Sequence, residues 1–132
     1  MTEQLPRRSE GEPLSIYPLP PFDNPDLRWE PLRPGIEAAW LYRHEPDGAR
    51  AALLRYQPGA SVPAHEHLGY EHIYVLQGTQ SDDTRVYLPG TLTVFPPGLR
   101  HRIFSEGGCI VLAIWTAPIR FIDASRGSAA QP

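Results

Sequence analysis

The sequence predicts a single all-β domain, a sandwich or barrel of short strands behind a proline-rich arm. Three observations carry that reading. Sixteen prolines and eleven glycines are spread through 132 residues, so no stretch sustains an amphipathic helix of three turns. Short β-rich runs recur between turn signals from Gly35 onward. The length and the 41% hydrophobic content suit one domain with a modest core and leave no room for two.

Residues 1–34 form the arm. Pro13, Pro18, Pro20, Pro21, Pro25 and Pro31 recur every few residues, which favours extended backbone lying over something else. Tyr17, Phe22 and Trp29 are candidate anchors against the barrel or a partner subunit, because loose exposed aromatics cost solubility. Upstream of Tyr17 a solvated leader fits equally well. The barrel occupies residues 35–123, with candidate strands at Ile36 to Arg43, Ala49 to Gln57, His72 to Gln77, Thr84 to Leu88, Thr91 to Phe95, Arg100 to Ser105 and Cys109 to Thr116. Between them stand Pro46-Asp47-Gly48, Gln57-Pro58-Gly59, Gln77-Gly78, Leu88-Pro89-Gly90, Pro96-Pro97-Gly98 and Glu106-Gly107-Gly108, which supply the dihedral angles that tight turns demand. Strands this short and evenly spaced favour a sandwich or barrel. Residues 124–132 are small and polar, bury too little area to order themselves, and are expected to be disordered.

Composition removes whole classes of chemistry. All twelve basic residues are arginine, so lysine Schiff bases and a P-loop lysine are excluded. The arginines are scattered and the formal net charge is -3, which offers no basic stripe for a phosphate backbone, so no nucleic-acid partner is expected. Cys109 is the single cysteine and can form no intrachain disulfide. With Ile110, Val111 and Leu112 beside it, it reads as a buried small residue, with a redox-sensing thiol as the alternative. No apolar leader or membrane-length run occurs; a cytoplasmic location without a membrane partner is the expectation.

Four metal-ligand types fall in two clusters: His65, His67 and Glu71 near the middle, and His101 thirty residues later. Residues two apart on a strand project from one face, so His65 and His67 can offer imidazoles to one ion while Glu66 points away. Glu71 follows the Leu68-Gly69-Tyr70 bend, and His101 would arrive from a neighbouring strand. One divalent ion per chain is expected, with zinc or ferrous iron ahead of manganese or nickel. His44 sits in a turn and His72 alternates to the opposite face, so neither is a candidate. The pair is not a metalloprotease helix, which needs its second histidine where Gly69 stands.

The spacing matches both motifs of the cupin superfamily: G-x5-H-x-H-x3-E-x6-G as Gly59 to Gly78, and G-x5-P-x-G-x2-H as Gly90 to His101. Nine fixed positions agree. The resemblance implies a double-stranded β-helix, a jelly-roll barrel, with His65, His67, Glu71 and His101 as ligands. One departure is Ser105, where the pattern has asparagine; it puts hydrogen bonding near the barrel rim in doubt and leaves the ligands untouched. Within the superfamily, Gly69 to Asp83 and Glu106 to Trp115 resemble the ChrR-type cupin group, over roughly residues 36–122. That group includes the zinc-binding C-terminal domain of ChrR-type anti-sigma factors and an acetylacetone-cleaving dioxygenase that uses ferrous iron. The N-terminal zinc-binding helical domain that contacts sigma is not expected from the residues before Gly35, which are few and hold no Cys-x2-Cys, so sigma inhibition is not carried over.

Two functions stay open. In one, the ion is catalytic and serves a dioxygenase-like oxidation of a small enolisable organic substrate. In the other, zinc is closed and four-coordinate and stabilises a sensory or ligand-binding domain. No residue outside the ligand set is an unambiguous acid, base or nucleophile. Arg55, Tyr56, Tyr74, Phe95 and Trp115 are pocket candidates, but a one-residue slip in register reverses each assignment. The resemblance also implies a homodimer, with the arm free to cross between subunits.

Overall fold

The structure, a computed structural model, describes residues 11–20, 22–122 and 128–130. Among them it contains strands and turns and no helix. The strands run β1 (Trp29–Arg33), β2 (Ile36–His44), β3 (Ala49–Tyr56), β4 (Ser61–His67), β5 (Glu71–Gly78), β6 (Gln80–Ser81), β7 (Val86–Tyr87), β8 (Leu92–Phe95), β9 (Arg100–Phe104), β10 (Cys109–Trp115), β11 (Ile119–Phe121) and β12 (Ser128–Ala130). Two six-stranded sheets result, in the orders β1-β2-β3-β10-β5-β8 and β12-β11-β4-β9-β6-β7. The paired strands are antiparallel. This is the two-sheet barrel expected from the turn spacing. In the first sheet β10, late in sequence, inserts between β3 and β5, so pairing there closes long loops.

Alternation along the strands builds the core. Ala52, Leu54 and Tyr56 of β3, Ile73 and Val75 of β5, and Val111, Ala113 and Trp115 of β10 belong to one buried cluster between the sheets. Each fully buried leucine, isoleucine or valine there contributes about 1.5–3 kcal/mol relative to exposure. Cys109 joins this cluster, and burial pushes its thiol up to about 11, which suppresses the reactive thiolate. The buried reading of Cys109 therefore holds, and the redox alternative loses its chemistry.

The arm and the tail differ from the sequence reading in detail. The last residues of the segment read as arm are β1, which pairs with β2 across a Pro34-Gly35 turn. Pro31 is tolerated because β1 is an edge strand, where a missing N–H breaks no ladder. Upstream, Leu27 packs with Ala39 and Leu53 on the outer face of the first sheet, with Tyr17 and Trp29 against them. Trp29 also lies under the Arg55 guanidinium, 4.0 Å from ring centre to Cζ. Within the tail expected to be disordered, 124–127 and 131–132 lie outside the described residues, whereas Ser128–Ala130 pair with β11. An edge strand offers unpaired backbone groups that recruit even a weak sequence. The candidate strand Thr84 to Leu88 shortens to β7, because the Asp82 carboxylate accepts hydrogen bonds from the Thr84 and Arg85 backbone N–H and holds Thr84 in a turn.

Candidate metal centre

The site forms where β4, β5 and β9 face the barrel interior. His65 and His67 project from the same face of β4, and both are buried. Glu66 between them turns outward and pairs with Arg120 and Arg100. His101 on β9 is the direct cross-strand partner of His65, so antiparallel register alone delivers the third imidazole. Glu71 opens β5 after a bend pinned to the start of the β10–β11 connection. The Tyr70 N–H donates to Thr116 Oγ1 at 2.8 Å, and the Thr116 N–H donates to the Tyr70 carbonyl at 3.0 Å. A side chain on Gly69 would run into Thr116 and Ala117, so glycine permits this close approach.

One potential ligand atom from each of His65, His67 and His101 lies within 4.8 Å of the others. His65 Nδ1 is 2.8 Å from the Pro63 carbonyl, which fixes the ring and leaves Nε2 with its lone pair free. His67 Nε2 and His101 Nε2 face each other at 2.8 Å. Glu71 Oε1 stands 3.2 Å from His67 Nε2 but lies outside the three-histidine set. Phe95 stacks on His67 with 5.7 Å between centroids and meets His101 edge-on at 4.6 Å, and Phe121 meets His65 edge-on at 6.0 Å. Aromatic walls thus hold all three rings.

Burial sets the charge state. Desolvation, then the neighbouring imidazoles, hold His67 down to about 3; desolvation, then His65, holds His101 down to about 4; burial likewise lowers His65. Burial pushes Glu71 up to about 8. The Trp115 indole N–H lies close enough to ease that shift without reaching hydrogen-bond geometry. At neutral pH the isolated pocket is therefore a set of neutral imidazoles, each with one lone-pair nitrogen, beside a neutral carboxyl. His101 Nδ1 is also buried with no partner among the described residues. Crowded neutral imidazoles suit a divalent cation, and the donor set is one that zinc and ferrous iron accept.

Beside the histidines lies a cavity lined by Leu32, Ile36, Leu54, Tyr56, Val62, Ile73, Ile103, Trp115 and Ile119, with Arg33, His65, Glu71 and Gln80 as its other polar members. Register now separates the pocket candidates. Tyr56 and Trp115 line the cavity and Phe95 backs the histidines. Arg55 points outward to Glu37 at 2.7 Å, and Tyr74 is exposed. His44 is bound to Asp47 in its turn. Ser105 meets the need raised by the missing asparagine: fully buried, it donates from Oγ to the Thr79 carbonyl at 2.7 Å. Arg33, Gln80 and Phe121 were not singled out in the sequence. For Arg33 the Arg33-Pro34-Gly35-Ile36 hairpin turn was the available signal.

The model of the ChrR cupin-like domain matches residues 22–117. The chain belongs to that family. This cupin is 39% identical over 100 residues to the anti-sigma-E factor ChrR of Cereibacter sphaeroides, a match covering 73% of the chain and 45% of that protein. The chain thus spans less than half the length of this relative. A chain in the crystal structure of Rhodobacter sphaeroides SigE in complex with the anti-sigma ChrR aligns at 34% identity and TM-score 0.61, over 70% of this chain and 51% of that one. The crystal structure of an acetylacetone dioxygenase from Acinetobacter johnsonii covers 98% of this cupin and 92% of its own chain at TM-score 0.72. Its identity of 15% makes that a likeness of fold. No helix among the described residues is long and apolar enough to cross a membrane.

Proposed function

We propose that this cupin holds one divalent ion with His65, His67 and His101, with Glu71 as the fourth group, and oxidises a small enolisable organic substrate at that ion. The observation that carries the reading is the junction of two features: three neutral imidazoles converge, and one of them, His65, lines an apolar and aromatic cavity together with Glu71. A purely structural ion needs no such cavity. A bound divalent ion supplies Lewis acidity toward an enolate oxygen and, as ferrous iron, electrons for O₂. The chain's own residues do the rest. Ile36, Leu54, Ile73 and Ile119 exclude water, and the aromatic rings fix the imidazoles. Glu71, neutral when the site lacks a cation, can take up or give a proton beside His67 as the charge of the site changes.

A second reading has an observation of its own, the 39% identity to an anti-sigma-E factor over most of the chain. There zinc would stabilise a ligand-sensing domain without turnover. One experiment separates them. Protein purified without added metal is assayed for metal content, then for O₂ uptake with acetylacetone and related enolisable compounds before and after anaerobic loading with ferrous iron. Stoichiometric metal and substrate-dependent uptake are expected. Stoichiometric zinc with no uptake after iron loading would sink the oxidation and favour the sensing domain.

The homodimer belongs to the same proposal. On the outer face of the first sheet, Leu53, Leu112, Tyr74 and Leu92 form one cross-strand row and Ala51, Ile114, His72 and Val94 the next. The arm covers the β3 end, while Leu92 and Val94 remain 61% and 50% exposed. Contiguous apolar surface of this kind suits a self-complementary contact with a second copy. Sedimentation should give twice the chain mass for the parent protein and a monomer for the Leu92→Glu, Val94→Glu double variant. A monomeric parent at about 100 μM, a concentration far above a micromolar dissociation constant, would refute the dimer.

A further inference from the structure

Five of the nine described arginines are paired with acids. Arg43 has Glu30, Arg55 has Glu37, Arg100 and Arg120 share Glu66, and Arg102 has Asp83. Arg50 is buried and donates from Nε to the Gly48 carbonyl. Among the described residues Arg85 has no acid either but is exposed to solvent, whereas Arg33 is only partly exposed. Arg33 ends β1 just before the Pro34-Gly35 turn of the β1–β2 hairpin. Its guanidinium carbon lies 4.4 Å from the centre of the Phe121 ring, and that ring meets His65 edge-on. Among the described residues it forms no ion pair with a carboxylate, although it is only partly exposed and burial lowers its pKa. It lines the same cavity as His65 and Glu71 and, among the described residues, is the only arginine that does so.

A guanidinium that is half withdrawn from water, stacked on an aromatic face and given no acid carries an unmet demand for an anion. Its planar fork matches a carboxylate. Apart from Glu71 and the histidine end, the rest of the described cavity wall is apolar or neutral-polar, with Tyr56 and Gln80 as its deep hydroxyl and amide, so Arg33 is the one fixed cationic side chain in it. Resting on the metal-centre reading above, we infer that Arg33 is a specificity-determining residue that anchors a carboxylate of the substrate. The substrate class is then a small enolisable carboxylic acid, such as a 3-oxo acid, with its carboxylate toward Arg33 and its enolisable end toward the histidines. A neutral diketone of the same size satisfies the histidine end alone. The contact with Phe121 keeps the guanidinium in place between turnovers, so little ordering is lost when the anion arrives.

Calorimetric titration of the metal-loaded protein with acetoacetate and with acetylacetone tests this, because the two differ at one end, carboxylate against methyl ketone. The parent protein should bind acetoacetate at least about tenfold more tightly, the scale of one charge-assisted contact. Arg33→Gln should lose that preference with acetylacetone affinity unchanged, and Arg33→Lys should recover part of it. A merely structural role for Arg33 would weaken both ligands together, and that outcome would overturn the anchor. So would equal affinity of the parent for the two ligands, or undiminished acetoacetate binding by Arg33→Gln. Elemental analysis and a parallel titration of chelator-stripped protein keep the two claims apart. A parent protein without metal defeats the metal centre, while Arg33-dependent binding of acetoacetate to stripped protein still supports the anchor.

Discussion

Replacing His67 by alanine is expected to strip most of the bound metal and to remove the stabilisation that metal confers. His67 is the centre of the cluster: its Nε2 faces His101 Nε2 at 2.8 Å and Glu71 Oε1 at 3.2 Å, and its ring is stacked on Phe95 and met edge-on by the other two histidines. An ion that binds the folded chain alone stabilises it by about 4 kcal/mol when present at a thousand times its dissociation constant. In a domain of this size that is a rise of about 10 °C or more in melting temperature. The parent protein should show that gap between metal-loaded and chelator-treated samples, and His67→Ala should show almost none. The variant also loses a fully buried ring, so its chelator-treated form should melt below the chelator-treated parent. The size of the metal-dependent gap, rather than the melting temperature itself, is therefore the measurement that reports ligation. Unchanged metal content in His67→Ala would refute the histidine assignment.

Glu71 gives the internal comparison. Burial holds its carboxyl neutral up to about 8 without a cation, so a cation that recruits it near pH 6.5 must expel its proton. The histidines, already held below about 4 at positions 67 and 101, have none to release. Metal binding to the parent should liberate close to one proton, read from titrations in buffers of different ionisation enthalpy. Glu71→Gln should bind more weakly and liberate none. If the parent releases no proton, Glu71 stays outside the coordination sphere and the site is a three-histidine one.

How much of this was legible in the sequence follows from which contacts are local. His65 and His67 share a face because two residues make one strand period, and that needs nothing but the sequence. The turn before His101 is likewise written in Pro96-Pro97-Gly98. Register is a different matter. Arg55 and Tyr56 are neighbours, yet one pairs with Glu37 outside and the other lines the cavity. Which is which depends on β10 pairing with β3, a contact between segments over fifty residues apart. Irregularities at Trp40/Tyr42, Val62/His65 and Ile110/Val111 shift the pairing again, and each such shift changes which residues face inward. Edge strands were the other loss. β1 hides among prolines and β12 in a run of small residues, because an edge strand is held by backbone pairing to its one neighbour and needs little hydrophobic pattern of its own. Arg33 was missed for that reason: its strand reads as arm, and only the β1–β2 hairpin carries it to the cavity.

Gly78→Ala is expected to be strongly damaging for a single added methyl group, and Gly90→Ala is the matched control. Both glycines belong to the motifs that reveal the fold, and both have positive φ, 73° and 86°. Left-handed backbone costs an alanine about 1–2 kcal/mol in each case. The surroundings differ. A Cβ at Gly90 meets nothing within 4 Å, whereas at Gly78 it collides with the Gly108 carbonyl oxygen and comes to 2.9 Å from Cys109 Cα. Those are backbone atoms of the neighbouring strand and its turn, held by the pairing of Gly78 with Cys109, and cannot swing aside as a side chain would. Relief requires β10 to move, at the further cost of about 1–3 kcal/mol usual for an overfilled core. The total of about 3 kcal/mol is a large part of the roughly 5–15 kcal/mol that keeps a domain folded. Urea denaturation should thus place Gly78→Ala well below Gly90→Ala in midpoint, with similar slopes. Equal losses would mean that the chain needs glycine at position 78 for its dihedral angles alone. A larger loss at Gly78 would mean that the motif preserves the contact between β5 and β10, which holds Glu71 and Trp115 opposite each other at the far end of the same pair of strands.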